Sequence, residues 1–252
     1  MDKVTFNLLL WGWILLAVLV LIVLLFVKAP YGRYSSGKWG VTISNRWGWF
    51  LMEIISPVVF LIFFLRGETE KNFIVWFIAG LFLLHYANRS LIYPFRIKTK
   101  GKKMPLLVVS MAVFFNVANG SILGYSLGNL QALYSPTWMS DFRFISGTLL
   151  FFTGMYINLS ADEKLIHLRK NNPDEYRIPF GGMFNLISCP NFFGEMVEWL
   201  GYALLCWSLP AFSFFVWTFC NLVPRALNHH RWYRQFFPEY PVQRKAVFPW
   251  IL

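Results

Sequence analysis

Apolar runs of about twenty residues recur along this chain of 252 residues and constrain its fold more than any other feature. The run from Leu8 to Val27 carries no charged residue and is long enough to cross the hydrocarbon core of a bilayer as a helix. A backbone in lipid must satisfy its own hydrogen bonds, and a helix does so within one segment. With 57% hydrophobic and only 14% charged residues, the composition indicates a helical integral membrane protein.

We predict an all-α, polytopic fold with seven transmembrane helices in a single membrane-embedded domain over residues 1–252. The first run exceeds the about 7–15 apolar residues of a signal-peptide core, so it is predicted to be a retained anchor. Pro210 separates the last two spans, because one straight helix from Phe192 to Val223 would be about 48 Å long, against a hydrocarbon core of about 30 Å. The predicted spans are 7–27, 47–65, 73–93, 105–125, 142–160, 192–209 and 211–228.

The positive charge follows the predicted topology. The chain has 23 Lys and Arg against 12 Asp and Glu, a net charge of +11. The loops after spans 1, 3 and 5 hold four, five and four basic residues, and the segment from Arg225 to the end holds five. This alternation favours an N-terminus outside and a C-terminus in the cytoplasm, and it argues against nucleic acid as the partner. The host membrane is then a bacterial inner membrane or the endoplasmic reticulum.

Several common sites are missing from the sequence. Cys189, Cys206 and Cys220 form no C-x-x-C pair and are predicted to be buried free thiols. His229 and His230 are adjacent, so they point to different helix faces and make a poor metal pair. We therefore predict no metal. Neither a G-x-G-x-x-G after a strand nor a P-loop is present, which excludes the Rossmann and P-loop routes to nucleotide binding.

Charged and amide side chains recur at helical spacing at one end of the last three predicted spans. An ionisable group at membrane depth is costly and usually faces a partner, a water-filled cavity or a ligand. By the charge rule all three stripes lie at the cytoplasmic ends, where they can converge on one large polar ligand that carries phosphates. The alternative is an internal hydrogen-bonded network that ties spans 5–7 together. The stripes are Asn158, Asp162 and Arg169; Asn191, Glu195 and Glu198; and Arg225, His229 and Tyr233.

A second constellation lies in the N-terminal half. Glu53 sits one turn into span 2, and Tyr86, Arg89 and Tyr93 share a face at the end of span 3, after His85. A carboxyl and a phenol together can hydrogen-bond a carbonyl oxygen and stabilise the charge that develops on it. The alternatives are that Tyr93 is an interfacial belt tyrosine and that Glu53 is a structural partner of Arg89.

Five segments of this sequence resemble one family. They are WFLMEI (49–54), LLHYANRSLIY (83–93), GMYINLSADEKLIHLRK (154–170), EYRIPFGGMFNLISCPNFFGEMVEWLGYALLCWSLPA (175–211) and RALNHHRWYRQFFPEYPVQRKAVFPWIL (225–252). The chain resembles the steroid 5-alpha-reductase family (3-oxo-5-alpha-steroid 4-dehydrogenase), and is most similar to its type 2 branch. The Y-R-I-P-x-G-G-x-F and N-F-x-G-E-x-x-E-W runs carry most of the specificity.

The resemblance implies an NADPH-dependent reductase of 3-oxo-delta-4 steroids, with hydride added at C5 and a proton at C4. It implies that Glu53 and Tyr93 polarise the C3 carbonyl, that Trp49 and Met52 line the substrate site, and that spans 1–4 hold the substrate. Spans 5–7 and their cytoplasmic loops would hold the cofactor. The cofactor-contacting positions that it implies are Asn158, Asp162, Arg169, Tyr176, Arg177, Asn191, Glu195, Arg225, His229 and Tyr233.

The sequence also departs from the family at three places. Met52 stands where the type 2 enzyme has Gln beside the catalytic Glu, which removes one amide near the ketone. The loop Lys98–Met104 is rich in lysine where the family is rich in arginine, and Asn221 lies where an aromatic residue is usual.

Three other functions are compatible with parts of the pattern. A long-chain enoyl thioester reductase would use the same chemistry but would need a site for the acyl carrier. A membrane methyltransferase that uses S-adenosylmethionine would leave Glu53 and Tyr93 without an obvious role. A lipid transporter should show paired broken helices in its two halves, whereas the polar residues here crowd one end.

Overall fold

The protein is predominantly helical over the residues that its computed structural model describes, namely 2–28, 39–98, 101–130, 134–169 and 176–252. Two short antiparallel strands, β1 (Thr42–Ser44) and β2 (Lys103–Pro105), pair in the register Ile43 opposite Met104. Within the described ranges, seven helices have at least 17 residues: α1 Lys3–Phe26, α2 Asn45–Leu65, α3 Phe73–Arg96, α4 Leu106–Leu130, α5 Phe142–Leu168, α6 Pro190–Cys206 and α7 Leu209–Phe236.

Five of these helices, α1 to α5, are long and apolar enough to cross a membrane. Helices α6 (17 residues) and α7 (28 residues) do not meet the same standard, since α6 is short and both carry polar stripes. The helical membrane fold is therefore confirmed, while the count of seven spans and the orientation of the termini stay predictions. Of the basic residues on which that orientation depends, Arg33, Lys38, Lys100 and Lys170 lie outside the described residues.

The helices form two compact units. Unit 2 covers residues 30–144 and contains α2, α3 and α4. In this unit α4 approaches α2 closely through glycines: a Cβ on Gly120 would lie 2.7 Å from the carbonyl oxygen of Ser56, and one on Gly128 would lie 2.9 Å from that of Phe63. Phe60 of α2 stacks on Phe82 of α3 with ring centres 4.4 Å apart. The paired strands precede α2 and α4 and hold their first turns side by side.

Unit 1 covers residues 1–29 and 145–252 and contains α1, most of α5, α6 and α7. Helix α1 packs along α7, with the rings of Trp13 and Trp217 at 4.6 Å. Span 1 was predicted to lie with spans 2–4 on the substrate side, whereas α1 belongs to the unit that holds the polar stripes. The single domain, with a substrate side in spans 1–4 and a cofactor side in spans 5–7, stays a prediction.

Glycines bring α5 and α6 into backbone contact. A Cβ on Gly147 would lie 2.6 Å from the amide nitrogen of Leu205, and one on Gly194 would lie 2.5 Å from that of Asn158. Gly147 and Gly154 on α5, like Gly194 and Gly201 on α6, are seven residues apart, so each pair occupies one helix face. Small residues on facing helices allow the close approach that stabilises helix pairs in membranes.

The break between α6 and α7 falls at Trp207 and Ser208, just before Pro210, the residue predicted to separate the last two spans. Trp207 adopts a left-handed conformation with φ of 44°, which is unfavourable for a bulky side chain and ends α6. Pro210 then lies in the first turn of α7, where its missing N–H leaves no helical bond unmade. All three cysteines are buried free thiols, which confirms that prediction.

Gly194→Ala should destabilise the protein by about 1–3 kcal/mol, because the added methyl group would collide with the backbone of α5. Gly12→Ala is the matched control: a Cβ at Gly12 meets nothing within 4 Å, so the substitution should be neutral or slightly stabilising. Thermal unfolding in detergent would compare the two variants. Equal melting temperatures would show that the close approach of α5 and α6 is wrong.

Candidate functional site

In unit 2, Glu53 forms an ion pair with Arg89. Its Oε1 lies 3.5 Å from the Arg89 Nη2, and the side chains are only 13% and 12% exposed. The guanidinium carbon of Arg89 is also 5.0 Å from the ring centres of both Trp49 and Tyr93, whose rings meet edge to face at 5.6 Å. The structure therefore brings Trp49, Glu53 and Tyr93 around one arginine, and it confirms the partnership of Glu53 with Arg89.

Arg89 lies within a π-helical segment of α3, Ala87–Ile92, and Tyr93 directly follows it. A π turn is wider than an α turn, so the residues after it no longer follow the face that α-helical spacing predicts; such turns are frequent at functional sites. The hydroxyl of Ser90 donates to the carbonyl oxygen of Tyr86 at 2.6 Å, which occupies a backbone acceptor beside the irregular turn.

Sequence reasoning gave no role to Tyr86 and overlooked Asn116. Tyr86 is 3% exposed, and its phenol donates to the Asn116 Oδ1 at 3.4 Å. The Asn116 Nδ2 donates to the carbonyl oxygen of Met52 at 2.6 Å, so this second phenol lies beside the backbone that leads into Glu53. Two asparagines in the middle of one apolar span, Asn116 and Asn119, were the available signal. The Met52 side chain packs with Met104 and Val109 in an apolar cluster.

In unit 1, two of the three predicted stripes meet through direct hydrogen bonds. The Asn158 Nδ2 donates to the backbone oxygen of Asn191 at 2.9 Å, and the Asn191 Nδ2 donates to the Asp162 Oδ1 at 3.0 Å. Asn158 and Asp162 are 3% and 5% exposed. The glycine contacts between α5 and α6 make these bonds possible, because the amide nitrogen of Asn158 lies against Gly194.

Aromatic contacts connect the third stripe, on α7, and the loop that carries Tyr176 to the first two stripes. The ring of His229 on α7 lies 5.8 Å from that of Phe192, the neighbour of Asn191. Tyr176 lies 5.8 Å from the guanidinium carbon of Arg169 and 5.0 Å from the ring of Trp232. Ring to ring, Tyr233 stacks on Tyr240 at 5.2 Å.

The remaining predicted residues differ in exposure. Glu195 on α6 and Arg225 on α7 are half-buried, Arg177 is exposed, and Glu198 is fully buried deeper in α6. The site thus combines arginine cations with amide and carboxylate groups on neighbouring elements. Arginine suits phosphate oxygens, whereas amides and carboxylates suit hydroxyl and carboxamide groups.

The geometry defines a class of helical membrane protein with a carboxylate and two phenols in one unit and a polar, arginine-bearing site in the other. Comparison with known proteins names the family. The family described as 3-oxo-5-alpha-steroid 4-dehydrogenase matches residues 102–252. Steroid 5-alpha-reductase DET2 of Gossypium hirsutum is 40% identical over 99% of this chain and 98% of that protein. The 3-oxo-5-alpha-steroid 4-dehydrogenase 1 of Bos taurus is 39% identical over 94% of this chain and 93% of that protein.

The corresponding protein of Homo sapiens is 38% identical over 89% of this chain and 86% of its own length. The chain therefore belongs to the 3-oxo-5-alpha-steroid 4-dehydrogenase family, which confirms the family predicted from the sequence, while its similarity to the type 2 branch stays a prediction. The family is one of oxidoreductases that act on CH–CH groups.

Asn191→Leu removes the side-chain N–H that donates a hydrogen bond to Asp162, and it should lower the free energy of unfolding by about 1–3 kcal/mol. Asn191→Asp should lower it further at neutral pH, because two carboxylates would then face each other. The loss of stability of Asn191→Asp relative to the wild type should become smaller as the pH falls, because a proton shared by the two carboxylates restores a hydrogen bond. Unfolding of both variants across a pH series would test this. An Asn191→Asp deficit that is independent of pH would contradict the contact.

Proposed function

We propose that the protein reduces the delta-4 double bond of 3-oxo-delta-4 steroids to give 5-alpha-3-oxo steroids, with NADPH as the cofactor. Family membership supports the substrate class and the reaction, because the relatives are named for a 5-alpha-reductase activity. The single observation that carries the proposal is the cluster of Glu53, Arg89, Trp49 and Tyr93, which places a carboxyl group and a phenol together in an apolar helical unit.

The cluster suits a conjugated ketone because negative charge develops on the carbonyl oxygen when the double bond is reduced. Hydrogen-bond donors that are already in place stabilise that charge without having to reorganise. A protonated Glu53 can donate to the oxygen, whereas an ionised Glu53 paired with Arg89 can only accept. In the second case the phenol donates to the substrate, and the carboxylate holds the arginine and the neighbouring rings in position.

Two phenols can serve as that donor. Tyr93, the phenol predicted to polarise the carbonyl, is partly exposed and adjoins Arg89 and Trp49. Tyr86 is buried and connects through Asn116 to the backbone of Met52. We retain Tyr93 as the proposed partner of Glu53 and treat Tyr86 as the competing donor that substitution can separate from it.

The residues of unit 1 suit NADPH by their chemistry. Asn158, Asp162 and Asn191 form a hydrogen-bonded set of amide and carboxylate groups that suits hydroxyl and carboxamide groups. Tyr176 adds an aromatic face. When bound, NADPH would supply the hydride that C5 receives. We propose further that this site faces the cytoplasm. The proposed phosphate contacts are Arg169, Arg177 and Arg225. Further contacts with the cofactor are proposed for Glu195, His229 and Tyr233.

Purified protein in detergent should convert testosterone or progesterone in the presence of NADPH to a product heavier by two hydrogen atoms, followed by mass spectrometry. NADH should be a poorer donor, because the arginine-rich site favours the additional phosphate of NADPH. A long-chain enoyl thioester under the same conditions serves as the competing substrate. Reduction of the thioester but not of either steroid would replace the proposed function by an enoyl reductase.

Glu53→Gln should lower kcat for the steroid by about 10²-fold or more, because a group that stabilises developing charge is lost, while the affinity for NADPH stays unchanged. Tyr93→Phe should lower kcat by a factor of the same order, whereas Tyr86→Phe should lower it less. The measurements are kcat, KM and fluorescence titration with NADPH. A large loss for Tyr86→Phe with a small one for Tyr93→Phe would transfer the role to Tyr86.

A further inference from the structure

Ser188, two residues before α6, joins three segments of unit 1 through one buried hydroxyl. The side chain is 3% exposed, and its Oγ lies 2.6 Å from the His230 Nδ1 on α7 and 2.6 Å from the Tyr240 hydroxyl. It also lies 3.1 Å from the carbonyl oxygen of Lys245. None of these partners belongs to the cofactor-contacting set proposed above.

Only one arrangement of protons makes hydrogen bonds of all three contacts. The Lys245 carbonyl can only accept, so the single hydrogen of Ser188 must point to it. The Ser188 oxygen then accepts from Tyr240 and from His230, which must carry its hydrogen on Nδ1. Burial raises the pKa of the Tyr240 phenol, although the Ser188 hydrogen bond and the nearby Arg244 oppose the rise, so Tyr240 keeps its donor hydrogen at neutral pH.

The segment 240–247, which we call the C-terminal clasp, also binds the chain on both sides of Ser188 through its backbone. The Lys245 amide donates to the Leu186 oxygen at 3.0 Å, and the Ser188 amide donates to the Lys245 oxygen at 2.8 Å. The Cys189 amide donates to the Ala246 oxygen at 3.1 Å. These bonds fix the stretch that leads into α6.

The clasp also holds the loop that carries Tyr176 and Arg177. Arg244 is 2% exposed; its Nη1 donates to the Pro179 oxygen at 2.9 Å, and its guanidinium carbon lies 4.6 Å from the Phe180 ring centre. Tyr240, the phenol that contacts Ser188, stacks on Tyr233 of the third stripe. The clasp is thus in contact with the loop, with the entry to α6 and with α7.

We propose that Ser188 is a positioning residue for the cofactor site, acting through His230 and the clasp; the inference rests on the proposed function. Ser188 lies three residues before Asn191, and His230 directly follows His229. Their hydrogen bond sets the start of α6 against α7 and thereby the relative positions of Asn191 and His229. Removing it should weaken cofactor binding while the residues that touch the steroid stay in place.

Ser188→Ala should raise the Kd for NADPH about tenfold, a change that matches the free energy of one buried hydrogen bond. The kcat at saturating NADPH should stay within about twofold. Ser213→Ala is the matched control: Ser213 is also a buried serine of unit 1, but its hydroxyl donates only to Pro210 of its own helix, at 2.7 Å. Its Kd should equal that of the wild type. NADPH fluorescence measures Kd on the full chain in detergent, and thermal unfolding is recorded for each variant.

Two variants of His230 test the direction of the hydrogen bond. Asn can donate from nearly the position of Nδ1, so His230→Asn should retain the wild-type Kd, whereas the acceptor-only His230→Asp should raise it as Ser188→Ala does. A lowered melting temperature for Ser188→Ala with an unchanged Kd would assign the network to stability alone and overturn the proposal. If the wild type itself does not bind NADPH, the proposed function is rejected as well. This result differs from an unchanged Kd of Ser188→Ala, in which the wild type does bind NADPH.

Discussion

The backbone contact between α5 and α6 is the constraint on which the polar site of unit 1 depends. Four glycines at matching intervals of seven residues remove the side chains that would hold the two helices apart. Only at that separation can short amide and carboxylate groups reach across, from Asn158 to the Asn191 backbone and from Asn191 to Asp162. A longer distance would leave buried polar groups without these bonds, at a cost of about 1–3 kcal/mol each.

The carboxylate cluster of unit 2 depends on a different local device. Arg89 lies in the π-helical segment Ala87–Ile92 of α3, whose turn is wider than an α turn, and it contacts Glu53, Trp49 and Tyr93 at once. The same region buries Tyr86 against Asn116. Tyr86 and Tyr93 thus flank one irregular turn but have different surroundings, and substituting each one separately distinguishes their roles.

Sequence reasoning was strongest where periodicity is local. The apolar runs predicted α1 to α5 closely, and spacing placed Asn158, Asp162 and Asn191 on faces that do meet. It was weaker for α6 and α7, where polar stripes lower the apolarity on which a predicted span rests. It placed Tyr86 on a face with Arg89 and Tyr93 without giving it a role, and it did not find Asn116 or the clasp, because their contacts join residues 30 to 65 positions apart and leave no spacing pattern.

The sequence by itself determined that the chain is a helical membrane protein, which family it belongs to and which polar residues share a helix face. These properties follow from composition, from motifs and from the period of a single helix. The tertiary structure alone decided that Glu53 pairs with Arg89, that Asn191 bonds to Asp162, and that Ser188 joins α6, α7 and the clasp. Such choices depend on how closely two backbones approach and on which donor then meets which acceptor, and no single segment encodes either.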